Sequence, residues 1–407
     1  MNIRKTEKGI TLLALVLTII LLVIISTVAL RTINNKDMIE YAQNATEEFE
    51  GVQKEEQQYV TEIGSNAKEN LGGVPVDDLE NEDEGEGGGD KVEDEVEIAA
   101  ITVEEAQIKG VLSTTDSTDV KDTYGNIIKL PAGFKITTDS NNVTEGIVIE
   151  DCTKTKTKGN QFVWIPIGKV YTSNDKANSK EINLNRYTFS EDGTEKAEGE
   201  AIIQTYIIED SEKSEYENII ARNLEQFKLS AKTNGGYYIG RYETGVEVER
   251  DSKEDELTQP IVKLNANVYN YVTQAQASDL SRRMYDDNEE TNVISDLVNS
   301  YAWDTAIVFI QSFSTGEEAY KYSQLNQPKV FSTTGGNKDE YCNINDMSGN
   351  AFEWSTETFC WKANPCVSRG GYNYNTGNVA SNRTSSRGGV SASESRYNYS
   401  FRAILYL

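Results

Sequence analysis

Twenty-one consecutive residues without a charge, Ile10 to Leu30 (ITLLALVLTIILLVIISTVAL), set the first constraint on this chain. A run of that length suffices for one helix across a hydrocarbon layer of ~30 Å. Arg4, Lys5 and Lys8 precede it, which predicts a cytoplasmic N-terminal side and an extracellular remainder. The apolar core of a secretory signal peptide is shorter, ~7–15 residues, and ends at a small-residue cleavage site that is missing here. Residues 31–70 contain sparse apolar positions (Ile33, Ile39, Tyr41, Phe49, Val52, Tyr59, Ile63) in a polar, proline-free stretch, which predicts a helical continuation.

The next constraint is electrostatic. Residues 77–97 hold twelve acidic side chains and one lysine, a large share of the formal charge of −27. Mutual repulsion and glycine entropy predict an extended, unfolded acidic linker over 71–98. A net charge of that sign argues against nucleic acid as a partner. The 407 residues include no histidine, which removes most zinc, copper and non-haem iron sites and the commonest general base. Residues 99–159 read as a small β-rich lead-in, with a turn at Tyr124-Gly125-Asn126 and a strand at Ile147-Val148-Ile149.

Lys8-Gly9 followed by Ile10-Thr11-Leu12-Leu13 resembles the type IV prepilin leader. The resemblance implies a leader over 1–9, cleavage between Gly9 and Ile10, and a long hydrophobic helix over 10–70 in a membrane or among other pilin subunits. The fifth mature position is Ala14, where most pilins carry a glutamate; subunits lacking it tend to be minor ones. A plain, uncleaved membrane anchor is the alternative.

From residue 160 onward, a second set of motifs occurs in order. They are Phe162-Val163-Trp164-Ile165-Pro166, Tyr238-Ile239-Gly240-Arg241-Tyr242-Glu243-Thr244, Val293 to Phe313 with apolar residues near helical spacing, Asn345-Asp346-Met347-Ser348-Gly349-Asn350-Ala351-Phe352-Glu353-Trp354, Val367-Ser368-Arg369-Gly370-Gly371 and Phe401-Arg402. This constellation resembles the formylglycine-generating-enzyme branch of C-type lectin folds (sulfatase-modifying factor domains). It implies an α+β chain in which the N-terminal helix and acidic linker precede a lectin-like domain over 160–407. Read by themselves, Trp164, Trp303 and Trp354 suit a loop-rich core, and Asn350, Glu353 and Arg369 suit buried polar groups.

The oxidases of that branch carry two copper-binding cysteines shortly after the RGG segment. Here Tyr372-Asn373-Tyr374-Asn375 follows, with no cysteine beyond Cys366, and the histidines of iron-dependent relatives have no counterpart. The resemblance therefore implies fold without the oxidase chemistry, and no catalytic residue, metal ligand or cofactor is expected. Cys360 and Cys366 flank WKANP and can form a local disulfide outside the cell; a reduced pair, or pairing with Cys342 or Cys152, is equally compatible.

The last thirty-nine residues, 369–407, have five arginines and one glutamate, a net +4, and are dominated by Asn, Ser, Thr, Tyr and Gly. Tyrosine with small polar residues is the composition of antibody-like binding surfaces. Apart from Glu394, the residue set is also what results when adenines of AAC or AAT codons are randomised. It resembles the variable region of proteins diversified by a diversity-generating retroelement. Candidate ligand-binding residues are Tyr372, Asn373, Tyr374, Asn375, Val379, Arg387, Val390, Arg396, Tyr397, Asn398 and Tyr399. The expected partner is a protein or glycan on another cell, phage or surface, met by a cell-surface head. A structural minor pilin without a ligand is the alternative, and a formylglycine-type oxidase the remote one.

Overall fold

The apolar segment Phe162-Val163-Trp164-Ile165 occupies an interior strand of the largest sheet because both of its faces are apolar. Phe162 and Trp164 pack with Phe134, Tyr238 and Leu405, whereas Val163 and Ile165 pack with Tyr237, Ile239 and Ile404. Burial on both sides turns the usual alternation of a strand into a continuous apolar run. A computed structural model describes residues 100–198, 224–286, 289–325, 330–337, 339–358, 363–373 and 383–407, which fall in one compact unit.

The strands of the two principal sheets are numbered along the chain. β1 (Phe134–Ile136), β2 (Val148–Asp151), β3 (Gln161–Pro166), β4 (Gly236–Gly240) and β5 (Ile294–Leu297) belong to the larger sheet. β6 (Phe352–Thr358), β7 (Cys366–Arg369), β8 (Gly388–Val390) and β9 (Tyr399–Phe401) form the smaller one, and β10 (Ala403–Tyr406) returns to the larger. The larger order is β5-β10-β4-β3-β2-β1, with all pairs antiparallel. The smaller order is β8-β7-β6-β9, in which β6 and β9 run parallel. The segment read as a lead-in thus supplies two strands, β1 and β2, to the same sheet as β3.

Among the described residues, four α-helices stand beside the sheets: α1 (Val103–Lys109), α2 (Leu224–Thr233), α3 (Gln274–Arg282) and α4 (Ser300–Phe313). α1 and α3 begin with capping boxes, Thr102 with Glu105 and Thr273 with Gln276, each of which satisfies two orphan N–H groups. In α4 every residue from Ser300 to Ile310 is buried, as expected of a helix apolar nearly all round.

The motif from Val293 to Phe313 divides rather than continuing as one helix. Ile294–Leu297 pairs with β10, and Asn299 then starts α4 by accepting the Ala302 N–H at 2.9 Å. An asparagine at the N-cap and a waiting strand partner together outweigh the helical spacing.

The expected α+β organisation is corrected by this architecture. Strands predominate, the helices are short, and among the described residues no helix is long and apolar enough to cross a membrane. The fold described is thus mainly β, and the expected long N-terminal hydrophobic helix is not supported by it. Gly9, Ile10, the apolar run 10–30, its continuation to 70 and the linker 71–98 lie outside the described residues.

Gly146 shows how tightly the loops dock on this frame. It holds φ at 86°, and a Cβ there would fall against the Cys342 carbonyl. Gly168 holds a similar φ of 97° with no atom within 4 Å of a built Cβ. Gly168→Ala should cost about 1 kcal/mol for the backbone alone. Gly146→Ala should cost about 3 kcal/mol or more, because the clash adds to that strain. Urea unfolding of the two variants measures the difference, and equal losses would contradict the docking described.

Candidate ligand-binding face

The alternation of Phe352 and Trp354 along β6 puts both rings on one side of the smaller sheet. Tyr399 on β9 is the register partner of Phe352, so its ring enters between them. Tyr399 stacks on Trp354 at 4.9 Å and 22°, and on Phe352 at 5.2 Å and 30°. Tyr372 extends the column, 4.7 Å from Phe352. Trp354 is fully buried and donates from Nε1 to the Val272 carbonyl at 2.9 Å, which anchors the inner end. Burial and the nearby Glu394 push the Tyr399 hydroxyl up to about 12, so it remains a neutral donor.

Beside this column lies the loop 396–398, exposed at Arg396 and Tyr397. Tyr397 is 47% exposed and meets Phe331 edge-on at 5.9 Å, next to Val330, which is 83% exposed. Every carbonyl in the loop is tied. Arg396 O accepts from Tyr271 N at 3.1 Å and Tyr399 N at 3.2 Å, Tyr397 O from Asn270 Nδ2 at 3.2 Å, and Asn398 O from Phe352 N at 2.9 Å. A rim aromatic on a fixed backbone loses little entropy on binding.

Asn350 fixes the other side. At φ 61°, its side chain donates to Ser332 O at 3.1 Å and accepts from Ser332 N at 3.0 Å and Asn337 Nδ2 at 3.2 Å. Its Nδ2 also reaches the Glu243 carboxylate, and its carbonyl accepts the Asn373 N–H at 3.1 Å. One residue thus positions both Phe331 and the chain beside Tyr372. Phe331, Phe352 and Asn350 were not among the expected site residues; the F-x-W alternation at 352–354 is the one signal that marks the first ring of the column.

Three expected residues, Arg387, Val390 and Asn398, turn inward instead. Val390 packs in the core with Trp354, Cys366 and Phe401. Arg387 reaches Asp304, the Glu357 carboxylate at 2.8 Å and the Tyr187 carbonyl at 3.3 Å. Arg369 binds the same two carboxylates, and Arg186 contacts Glu357 at 2.6 Å. Burial alone would raise the Glu357 carboxyl, but Arg369, Arg387 and Arg186 hold it below the usual range.

The net +4 of 369–407 is therefore mostly not a free surface charge; among the described residues Arg383 alone of its arginines lacks a carboxylate, and it donates to Gln324 Oε1 at 2.6 Å. Arg369 and Arg402 are fully buried, and Arg396, although exposed, pairs with Glu394 at 2.8 Å. Asn398 is buried, while Tyr372 and Asn373 are half-buried. Tyr374, Asn375, Val379 and Cys360 lie outside the described residues. Cys366 has a free thiol, which burial pushes up to about 12.

No protein family matches the chain, and no curated protein matches its sequence. Among the described residues, no group of three acidic, cysteine or histidine side chains is placed to hold a metal ion.

Behind Asn350 lies a group of buried acids. Burial, then the charges of Asp346 and Glu353, push the Glu243 carboxyl well above the usual range. Burial, then Asp339, push Asp346 up to about 7 from its ordinary 3.8. A carboxyl with a raised folded-state pKa binds its proton more tightly when folded. Its contribution is complete below the unfolded value and is lost as pH rises through about 7. Asp346→Asn keeps the acceptor for the Gly335 N–H at 2.6 Å and removes the titration. The melting temperature of this variant relative to the parent should rise between about pH 5 and pH 8. The same difference at both pH values would contradict the assignment.

Proposed function

We propose that this chain is a surface-displayed, non-enzymatic ligand-binding protein, adhesin- or receptor-like, whose C-terminal segment supplies the contact face. The observation that carries the reading is the aromatic column Trp354–Tyr399–Phe352–Tyr372, with Tyr397 and Phe331 at its rim. The column is anchored at its buried end and edged by a loop, exposed at Arg396 and Tyr397, whose carbonyls are all hydrogen-bonded. Such an arrangement offers broad, preformed contact area with adaptable Asn and Ser groups around it.

The sequence supports the same reading. The absence of histidine and of a cysteine pair after Arg369-Gly370-Gly371 leaves the oxidase chemistry of the resembling branch without its ligands. Likeness of the tail to retroelement-diversified regions fits a face whose exposed positions vary while Arg369, Phe401 and Arg402 stay buried. Display at the cell surface is proposed from sequence composition alone, the charge-free run 10–30 and the basic residues before it. The mechanism is contact by aromatic rings on a rigid support; bulk positive charge has little part in it, since Arg369, Arg387, Arg396 and Arg402 are paired with carboxylates and Arg383 is bonded to Gln324.

Tyr397 and Tyr399 have different roles under this reading. Tyr397→Ala removes an exposed ring and should leave the melting temperature unchanged. On an array of cell-surface glycans and proteins, that variant should lose at least about tenfold in affinity for whatever the parent binds. Tyr399→Ala opens the stack and should lower both affinity and stability, by about 3 kcal/mol for the latter. Undiminished binding by Tyr397→Ala would contradict the assignment of the face.

A further inference from the structure

Two hairpin tips from different sheets meet at Asn126. One is the turn 122–126, between strands Thr118–Lys121 and Ile127–Leu130. The other is the loop 172–178, between strands Gly168–Tyr171 and Ser179–Ile182. Asn126 joins them by accepting the Tyr171 N–H at 2.8 Å and donating to the Tyr171 carbonyl at 3.0 Å. The first tip is shaped by buried Asp122, which accepts from Tyr124 N, Asn126 N, the Asn126 amide and Val143 N.

Three lysines converge on this junction. Lys169 shares a strand face with Tyr171, two residues on, and its Nζ lies 5.2 Å from the tyrosine ring centre. The Lys176 Nζ lies 5.1 Å from the same centre. Lys176 and Lys121 also close over Gly125, where a built Cβ would meet Lys176 Cε at 3.0 Å and Lys121 Cε at 3.5 Å. A side chain at 125 would push these two lysines apart. Lys176 itself sits at φ 55°, a left-handed conformation that costs a lysine about 1–2 kcal/mol.

Among the described residues, none of the three ammonium groups has a carboxylate within ion-pair distance. The acids nearby are engaged elsewhere or unpaired with them. Asp175 accepts from Ser173 Oγ at 2.6 Å and Ala177 N at 3.0 Å. Glu181 stands across the ribbon from Lys169 in register without forming an ion pair to it. In a chain of formal charge −27, like charges gathered on one ring without counter-ions are a cost that a bound anion would remove.

We propose that this junction is an anion-binding site for a ligand carrying adjacent phosphate or sulfate groups. An ammonium is a compact donor of three N–H bonds and binds phosphate or sulfate oxygens as a point charge. Lys169 and Lys176 stand no further apart than the sum of their distances to the Tyr171 centre. Lys121 lies beside Lys176, so the three positions suit neighbouring anionic groups on one molecule better than a single small ion. Tyr171 offsets part of the repulsion through its ring face. The site is separate from the aromatic face and does not depend on that reading.

Calorimetric titration of the full chain with tripolyphosphate and with sucrose octasulfate tests the proposal. At least one probe should bind, more weakly at about 0.5 M salt than at low salt. Which probe binds more tightly distinguishes a phosphate ligand from a sulfate one. The double variant Lys169→Gln/Lys176→Gln should lose at least about tenfold in affinity, with a melting temperature no lower than that of the parent. Lys253→Gln, at an exposed lysine beside Glu254, should bind like the parent. Failure of both probes to bind, or a smaller loss in the double variant, overturns the proposal.

Discussion

The placement of the whole C-terminal face depends on Arg402. The chain leaves the smaller sheet at Phe401 and enters the larger one at Ala403, so a single residue connects them. The Arg402 guanidinium is fully buried and holds Glu353 of β6 through two bonds, at 2.6 and 2.8 Å. It also donates to the Gly240 carbonyl at the end of β4 and to the Asn345 carbonyl, both at 2.8 Å. The planar fork of arginine suits this task, since it meets a carboxylate with two donors and has others left for carbonyls. Two sheets and the loop that leads to Asn350 are thus tied to one side chain.

Two more arginines of the last thirty-nine residues share that inward role. Arg369 and Arg387 enter a network with Arg186, Asp304, Glu357 and Glu198, in which three cations face three carboxylates. Desolvating so many charges is tolerable only because each has partners. The functional consequence lies at the surface. With these cations turned inward and Arg396 paired, the aromatic face presents rings and neutral polar groups. Exposed, unpaired positive charge gathers at the lysine junction instead, on different strands.

Legibility in the sequence followed local determinism. The strand at 161–166 and the turn at 124–126 could be read directly, because an apolar run and a Tyr-Gly-Asn turn leave few alternatives. The three tryptophans and the glycine-bearing motifs were legible as core. Ile294–Leu297 was misleading, since its apolar spacing suits a helix and only the distant β10 makes it a strand. Arg387 and Val390 were placed on the surface because composition does not reveal that Asp304 and Glu357, far along the chain, wait inside for the arginine. Asn350 was legible as a buried polar group, but that it holds the Ser332 backbone, and with it Phe331, depends on a contact between separate loops that no local pattern records.

The most direct measurement of the central claim is a double-mutant cycle on the Arg402–Glu353 pair, read by denaturant unfolding. Each single change, Arg402→Met or Glu353→Leu, leaves a buried charge alone and should cost about 3–5 kcal/mol. The double variant should lose at least about 2 kcal/mol less than the sum of the two. Additivity within about 0.5 kcal/mol would show that the pair does not tie the sheets and would contradict the account.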